Sequence, residues 1–304
     1  MNETAKTNGV LLALGTFDGL HTGHKRVLTA GSAAEGARVA LLFREHPLKV
    51  LTGDAPGELL TASARDALLR KWGVTPVFCD FAALREESPQ EFFENEVLGR
   101  CHATAVSCGF NYRFGKEAAG DVTLLRELCT AHGLALHVAE PVLYGGAPVS
   151  STRIREALRA GNLPDVTAML GRYFCYAFPV VHGDERGRLL GSPTINQFFA
   201  PGFQVPRFGV YASFTYVDGR RYPSVTNIGV RPTVGAGGVR SETNILGFDG
   251  DLYGCTVPVT PVAYLRGERR FASFDELSAQ IAADREAALQ ILEKETDHEL
   301  YPFD

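Results

Sequence analysis

Two histidines, His21 and His24, stand three positions apart where an apolar run gives way to a helical pattern. If a helix begins near Gly23, both imidazoles lie on one face of its first turn, beside backbone N–H groups that lack a partner within the helix. These groups and the positive end of the helix dipole suit a phosphate, and Gly23 lets a ligand approach the backbone. Imidazoles can also stabilise charge that develops on an anionic oxygen. Taken alone, the pair is equally typical of polar capping or of surface residues.

A second group of polar residues opens a later helical pattern. Ser150, Ser151 and Thr152 would supply hydroxyl and N–H groups at this second helix N-terminus. Arg153 or Arg155 would add a cationic fork for phosphate oxygens. An N-cap followed by a solvated arginine is the simpler interpretation of this stretch alone. Its pairing with the two histidines favours a phosphate site made of two helix N-termini.

The first half of the chain alternates short apolar runs with helical patterns. Strands separated by helices of this length need crossover connections, which predicts a doubly wound α/β domain with a parallel sheet. Ligands bind such sheets at the carboxyl ends of the strands, where the segments after Leu14, Cys108 and Leu143 fall. The predicted strands are 10–14, 38–43, 76–81, 103–108 and 135–140, and the predicted helices are 24–34, 63–72, 88–98 and 122–132.

The second half changes character near Leu170. Helical periodicity disappears, and short β-rich runs separated by glycine and proline predict a small antiparallel β-barrel. A capping box from Ser273 to Glu276 then starts a C-terminal helix. We therefore predict two domains, 1–170 and 171–304, with a linker at 160–171. The runs assigned to barrel strands are 177–181, 209–217, 221–228, 243–248 and 256–265.

Composition narrows the class of protein. The 304 residues carry a net charge of -5 and are 45% hydrophobic, which is typical of a globular protein without a basic surface for nucleic acid. The six cysteines form no C-x-x-C pair, which disfavours a disulfide framework and a zinc site. We find neither a signal peptide nor an apolar window of about 20 residues. We expect a cytoplasmic protein that binds neither nucleic acid nor membranes, and its oligomeric state is left open.

Several motifs resemble a known family. GTFDGLHTGH at 15–24 and VSSTRIREAL at 149–158 resemble two signatures of nucleotidyltransferases that transfer AMP or CMP from a nucleoside triphosphate to a phosphate-bearing acceptor. GFNYRFGKEAAGD at 109–121 is similar to a loop of the bacterial bifunctional riboflavin kinases/FAD synthetases. In LLFREHPLKVL, Glu45 replaces a proline that is usual in that family. The segments that resemble its kinase module are GRLLGSPTINQ at 187–197, NIGVRPTV at 227–234, SETNILGFDGDLYG at 241–254 and AYLRGERRFASFDELSAQIAAD at 263–284.

The resemblance implies that the barrel phosphorylates riboflavin to FMN with ATP and Mg²⁺. Glu242 matches the family's general base, and a carboxylate can accept the proton of the riboflavin 5′-hydroxyl during phosphoryl transfer. Thr194 and Asn196 match the residues that hold Mg²⁺ and the ATP phosphates, and oxygen ligands suit this hard cation. Arg266 matches a position near the flavin. Ile195 replaces the usual alanine, so it either crowds its neighbours or points into the barrel.

For the α/β domain, the resemblance implies transfer of AMP from a second ATP to FMN, which yields FAD and pyrophosphate. The FMN phosphate would attack the α-phosphorus directly, with His21, His24 and Mg²⁺ neutralising charge. Asn111 matches a flavin-binding position. Two alternatives stay open: a riboflavin kinase whose α/β domain has lost its activity or takes another acceptor, and a flavin-binding regulatory protein. The positions implied for ATP and phosphate binding are Gly15, Phe17, Asp18, Gly23, Ser150, Ser151, Thr152, Arg153, Arg155, Gly187 and Gly191.

Overall fold

Packing divides the chain into two compact units. The first unit contains the described residues up to Pro56 and those of Ala62–Ser150. The second unit contains Gly57–Thr61 and the described residues from Ser151 onward. The computed structural model describes residues 9–31, 35–183, 194–230 and 238–295.

Five parallel strands form the core of the first unit. They are β1 (Val10–Leu14), β2 (Ala37–Phe43), β3 (Val74–Cys79), β4 (Ala105–Gly109) and β5 (Ala135–Ala139). The sheet order is β3-β2-β1-β4-β5, and every pairing is parallel. The central strand β1 is buried from Leu11 to Leu14, as expected where a parallel sheet is covered on both faces. The predicted doubly wound α/β architecture is therefore confirmed.

Helices connect these strands, and one short hairpin follows the last of them. The helices are α1 (Thr22–Leu28), α2 (Pro47–Thr52), α3 (Ala62–Lys71), α4 (Phe81–Leu84), α5 (Pro89–Phe92) and α6 (Val122–Ala131), and the hairpin is β6 (Leu143–Tyr144) with β7 (Ala147–Pro148). Ser88 and Glu91 form a capping box at the start of α5. The chain then continues as a π-helix over Phe93–Arg100 instead of the single α-helix predicted at 88–98. This widened helix places Phe93 and Val97 in the core.

A closed antiparallel barrel forms most of the second unit. Its strands are β8 (Tyr176–Val181), β9 (Thr194–Phe198), β10 (Gly209–Val217), β11 (Arg220–Val230), β12 (Val239–Ile245) and β13 (Thr256–Arg266). Their order around the barrel is β10-β11-β12-β9-β8-β13, which confirms the predicted barrel. The sequence does not predict β9, because two adjacent polar residues, Asn196 and Gln197, interrupt the alternation typical of a strand. Pairing with β12 and β8 on its two sides holds the strand in the barrel.

Three helices complete the second unit. They are α7 (Ser151–Ala160), α8 (Leu163–Leu170) and α9 (Phe274–Leu292). The C-terminal helix α9 is capped by Ser273 and packs Ala288 and Leu292 against the barrel, as predicted. The stretch 160–171, predicted as a linker, contains α8 and ends at Gly171 in a left-handed conformation with φ 66°. None of the described helices has the length and apolar character needed to cross a bilayer.

Candidate active sites

His21 and His24 lie at the start of α1, as the sequence predicts. His21 is the N-cap residue, and its Nδ1 atom accepts a hydrogen bond from the backbone N–H of His24 at 3.3 Å. The two rings stack with their centroids 3.6 Å apart. A Cβ at Gly23 would come within 3.1 Å of the His21 ring, so glycine keeps this contact relaxed. Since Nδ1 of His21 is an acceptor, the neutral ring carries its proton on Nε2.

The loop between β1 and α1 takes an unusual backbone conformation. Phe17 and Leu20 have φ angles of 48° and 45°, which residues other than glycine rarely adopt. The buried ring of Phe17 meets the His24 ring edge-on, with centroids 5.6 Å apart, and lies within 3.1 Å of where a Cβ at Gly15 would be. The half-buried Asp18 follows in the same loop. Phe17 therefore contacts both Gly15 and His24 within this loop, and its predicted contact with ATP stays a prediction.

A cavity of about 640 Å³ opens at the carboxyl ends of β1, β2 and β4. It brings together four residues that the sequence analysis singled out, Gly15, Phe17, His24 and Asn111. This position agrees with the binding crevice expected for a doubly wound sheet. Apolar side chains line one part of the wall, and a second part carries charge. The remaining lining residues include Leu14, Val27, Leu41, Phe43, Leu51, Phe81, Phe92, Tyr112, Phe114, Arg85, Glu86, Arg113, Lys116 and Glu117.

The loop that carries Asn111 is fixed at several points. Phe114 and Gly120 exchange two backbone hydrogen bonds of 3.1 and 2.9 Å, which close the loop on itself. Lys116 Nζ lies 2.9 Å from a carboxylate oxygen of Glu86, which also lines the cavity. Burial raises the pKa of the Tyr112 hydroxyl above its usual range, so this group stays a protonated donor at neutral pH. Asn111 is thus presented to the cavity from an ordered loop.

The second predicted phosphate element begins helix α7. Its residues differ in exposure: Thr152 is exposed and Arg153 half-buried, whereas Arg155 is only 4% exposed. The Nε atom of Arg155 donates to the carbonyl of Gly57 at 2.8 Å. Arg155 therefore holds the segment Gly57–Thr61, which also pairs with the backbone of Phe203 through Glu58. A contact of Arg155 with phosphate stays a prediction, and its Nε atom already donates to the Gly57 carbonyl.

The predicted clamp of two helix N-termini draws on both units. His21, His24 and Ser150 belong to the first unit, and α7 from Ser151 onward belongs to the second. The joint binding of one triphosphate by these elements stays a prediction.

In the barrel, three polar side chains lie abreast on adjacent strands. The register pairs Glu242 of β12 with Asn196 of β9 on one side and with Asn227 of β11 on the other. The flanking residues Ser241 and Thr243 are fully buried. Because successive residues of a strand face opposite sides, Glu242 and the two asparagines share the other face.

A second cavity, of about 600 Å³, lies beside this row and is lined by both Thr194 and Asn196. The two residues are two positions apart on β9, so their side chains share a face. Asp249 and Asp251 add carboxylates to the same wall. A Cβ at Gly183 would overlap the side-chain amide of Asn196, so glycine leaves the room that this amide needs. Hydroxyl, amide and carboxylate oxygens form a donor set that fits Mg²⁺.

Ile195 and Arg266 of the barrel both make contacts within the protein. Ile195 lines the same cavity and packs against the apolar cluster of Val180 and Ile245, so it adds to the packing on its face of β9. Arg266 forms a bidentate ion pair with Asp284 of α9, with Nη2–Oδ2 and Nε–Oδ1 distances of 2.7 and 2.9 Å. Arg266 thus fastens α9 to the end of β13, and its contact with flavin stays a prediction. Gly187 and Gly191 lie outside the described residues.

Two residues of the barrel site were not singled out from the sequence. Arg240 donates a hydrogen bond from Nη2 to Oε1 of Glu242. Their spacing of two positions on one strand is a signal that could have revealed this pair. The close approach of Gly183 to Asn196 has no such signal, since it brings a residue that follows β8 against a residue of β9 thirteen positions later.

Comparisons with known proteins give matches to both halves of the chain. A family model described as riboflavin kinase matches residues 170–292, and one described as FAD synthetase matches residues 3–153. The chain is 36% identical over 292 residues to the bifunctional riboflavin kinase/FMN adenylyltransferase of Escherichia coli (strain K12), with 92% of each chain covered. The Bacillus subtilis (strain 168) protein of the same description is 32% identical over 303 residues, covering 95% of this chain and 93% of the relative.

The fold also recurs in a solved structure. A crystal structure described as a macrolide-efflux protein from Streptococcus pneumoniae is 30% identical, with a TM-score of 0.85, and the match covers 93% of this chain and 94% of that one. The two family models follow one another in the order in which the α/β unit and the barrel occur. The identity and coverage of the relatives extend over both. The chain therefore belongs to the family of bifunctional riboflavin kinases/FMN adenylyltransferases.

Proposed function

We propose that the protein phosphorylates riboflavin to FMN with ATP and then adenylylates FMN to FAD with a second ATP, with pyrophosphate as the second product. The observation that carries this proposal is that each unit contains its own cavity, lined by residues at the positions that the family motifs mark. We assign the adenylyltransferase reaction to residues 1–170 and the kinase reaction to residues 171–304.

In the kinase reaction, Glu242 accepts the proton of the riboflavin 5′-hydroxyl. The oxygen of this hydroxyl attacks the γ-phosphorus of ATP, and ADP leaves. Thr194 and Asn196 would hold Mg²⁺, which neutralises the charge of the ATP phosphates when bound. Asn196 lies opposite Glu242 in the strand register, which brings the base next to the phosphate-binding residues. Asn227 borders Glu242 on the other side and can hydrogen-bond the substrate.

In the adenylyltransferase reaction, a phosphate oxygen of FMN attacks the α-phosphorus of ATP, and the bond to pyrophosphate breaks. No covalent intermediate with the protein is needed. His24 lines the cavity and can hydrogen-bond the oxygens on which charge develops, while His21 holds the N-terminus of α1 in place. The aromatic and aliphatic part of the same wall suits a flavin ring, with Asn111 as its polar contact.

We place the protein in the cytoplasm. All six cysteines are free thiols, and five of them are buried, which suits a reducing compartment. Riboflavin, FMN and ATP are the proposed small-molecule partners, and we expect no nucleic acid or membrane partner.

The proposal is tested by incubating the purified protein with riboflavin, ATP and Mg²⁺ and separating the flavins by chromatography. We expect FMN to appear first and FAD to follow. FMN without FAD, even when FMN is supplied directly, would restrict the protein to the kinase reaction. The absence of both products would leave a flavin-binding protein without turnover, and replacing Mg²⁺ with a chelator should abolish both reactions.

A further inference from the structure

The carboxylate of Glu242 has a fixed cationic neighbour on its own strand. Arg240 lies two residues earlier on β12, so the two side chains share a face, and Nη2 of Arg240 donates to Oε1 of Glu242. The Arg240 side chain is 14% exposed and that of Glu242 is 35% exposed. The arginine is therefore the more buried partner, and the ion pair is partly shielded from water.

The surroundings of Arg240 restrict where its guanidinium can go. The strand register places Phe198 beside Arg240 on β9 and Gly229 beside it on β11. A Cβ at Gly229 would overlap the carboxylate of Glu268, so this acidic group covers the space next to Arg240. The positions on both sides of Arg240 are thus occupied, by Phe198 on β9 and by the Glu268 carboxylate over Gly229 of β11, and the hydrogen bond of its guanidinium goes to Glu242.

We infer that Arg240 is a positioning residue for riboflavin phosphorylation, an inference that rests on the proposed role of Glu242 as the base. Arg240 occupies Oε1 and so fixes the plane of the Glu242 carboxylate, which leaves Oε2 to accept the proton of the substrate hydroxyl. The asparagines beside Glu242 cannot replace it, since they lack a positive charge. Without Arg240, the carboxylate would sample several rotamers, and few of them would face the substrate.

The test is steady-state kinetics of riboflavin phosphorylation by Arg240→Ala, Arg240→Lys, Glu242→Gln and the double variant of Arg240→Ala with Glu242→Gln. We expect Arg240→Ala to lower kcat on the order of 100-fold, with little change in KM for either substrate. Arg240→Lys should regain part of the loss, because an ammonium group can reach the same oxygen without the planar fork of arginine. In the Glu242→Gln background, Arg240→Ala should cause no further loss of kcat, because Arg240 acts through Glu242.

Arg220→Ala is the matched control. Arg220 is an exposed arginine at the start of β11, whereas Arg240 lies beside Gly229 near the end of that strand. It should keep the kinetics of the wild-type protein, and all variants should still convert FMN to FAD. If Arg240→Ala fails to fold, Arg240→Gln gives the same comparison without a charge. Unchanged kcat in Arg240→Ala or Arg240→Gln, or losses that multiply in the double variant, would overturn the inference. Full phosphorylation by Glu242→Gln would instead refute the assignment of the base.

Discussion

The imidazole rings of His21 and His24 are stacked, with centroids 3.6 Å apart, and His21 caps the helix that carries His24. The pair therefore combines the two interpretations that the sequence allows. His21 satisfies a backbone donor of α1, whereas His24 lines the cavity of the α/β unit. Capping and chemistry can be separated by substitutions that keep one and remove the other.

His24→Ala should lower kcat for FAD formation from FMN by about 100-fold, since it removes a donor from the oxygens that gain charge. Phosphorylation of riboflavin should keep its wild-type rate.

His21→Ala should lower the free energy of unfolding by about 1 kcal/mol through loss of the cap, and His21→Asn should restore most of it. Urea unfolding and separate assays of the two reactions measure these effects. A His24→Ala protein with normal FAD synthesis would remove this residue from the proposed mechanism.

Gly183→Ala should weaken the use of Mg²⁺ and ATP in the kinase reaction, because the added methyl group overlaps the side-chain amide of Asn196. We expect a higher Mg²⁺ concentration for half-maximal rate and a higher KM for ATP. Gly238→Ala is the control, since its Cβ would meet Phe198 at an ordinary distance of 3.4 Å. Equal effects of both substitutions would show that the loss is not specific to Asn196.

Asp284→Ala should destabilise the protein by about 3 kcal/mol, because it leaves the Arg266 guanidinium without its bidentate carboxylate partner. Adding Arg266→Ala should cost less than the sum of the two single losses, since the pair acts as a unit. Urea unfolding gives the free energies.

The flavin contact of Arg266 is tested separately: a raised KM for riboflavin in Arg266→Ala, with a smaller rise in Asp284→Ala, would support it. Equal KM values in both variants would leave Arg266 with its structural role alone.

The buried thiols predict a loss of stability at alkaline pH. Burial raises the pKa values of Cys79, Cys108 and Cys175 from 9.0 to about 12. Because these folded-state values lie above the unfolded value, their contribution to stability is fully present below pH 9 and is lost as pH rises toward 12. The free energy of unfolding should therefore fall across this interval.

In the folded protein at pH 8, a thiol reagent should label Cys255, the exposed cysteine. A rapid reaction of further thiols would contradict the buried arrangement.

Much of the fold can be predicted from local pattern. The apolar runs of the first half form strands, and those of β1 and β4 are almost entirely buried, as their lack of alternation indicates. The capping box at Ser273 marks the start of α9 correctly. Strand β9 escapes prediction because the adjacent polar residues Asn196 and Gln197 break its alternation, while partners on both sides hold it in the barrel. The division of the chain at Ser150 is also set by packing, since α7 and α8 carry ordinary helical patterns that fit either unit.

In the candidate sites, too, contacts between residues that are distant along the chain are not predicted from the sequence. Motifs mark His24, Asn196 and Glu242, but the strand register is needed to place Asn196 and Glu242 side by side. The protein partners of Arg155 and Arg266 come from distant segments, so the sequence does not predict these contacts, and the ligand contacts predicted for both residues stay predictions. Long-range pairing of this kind has no local signal.

A mixing experiment with two variants shows whether two separate sites act one after the other. With riboflavin, ATP and Mg²⁺, His24→Ala should accumulate FMN, and Glu242→Gln should leave riboflavin unchanged but convert added FMN to FAD. A mixture of the two variants should make FAD from riboflavin, because FMN released by one molecule can be adenylylated by another. Loss of both reactions in either folded variant would show that the two reactions do not have separate sites.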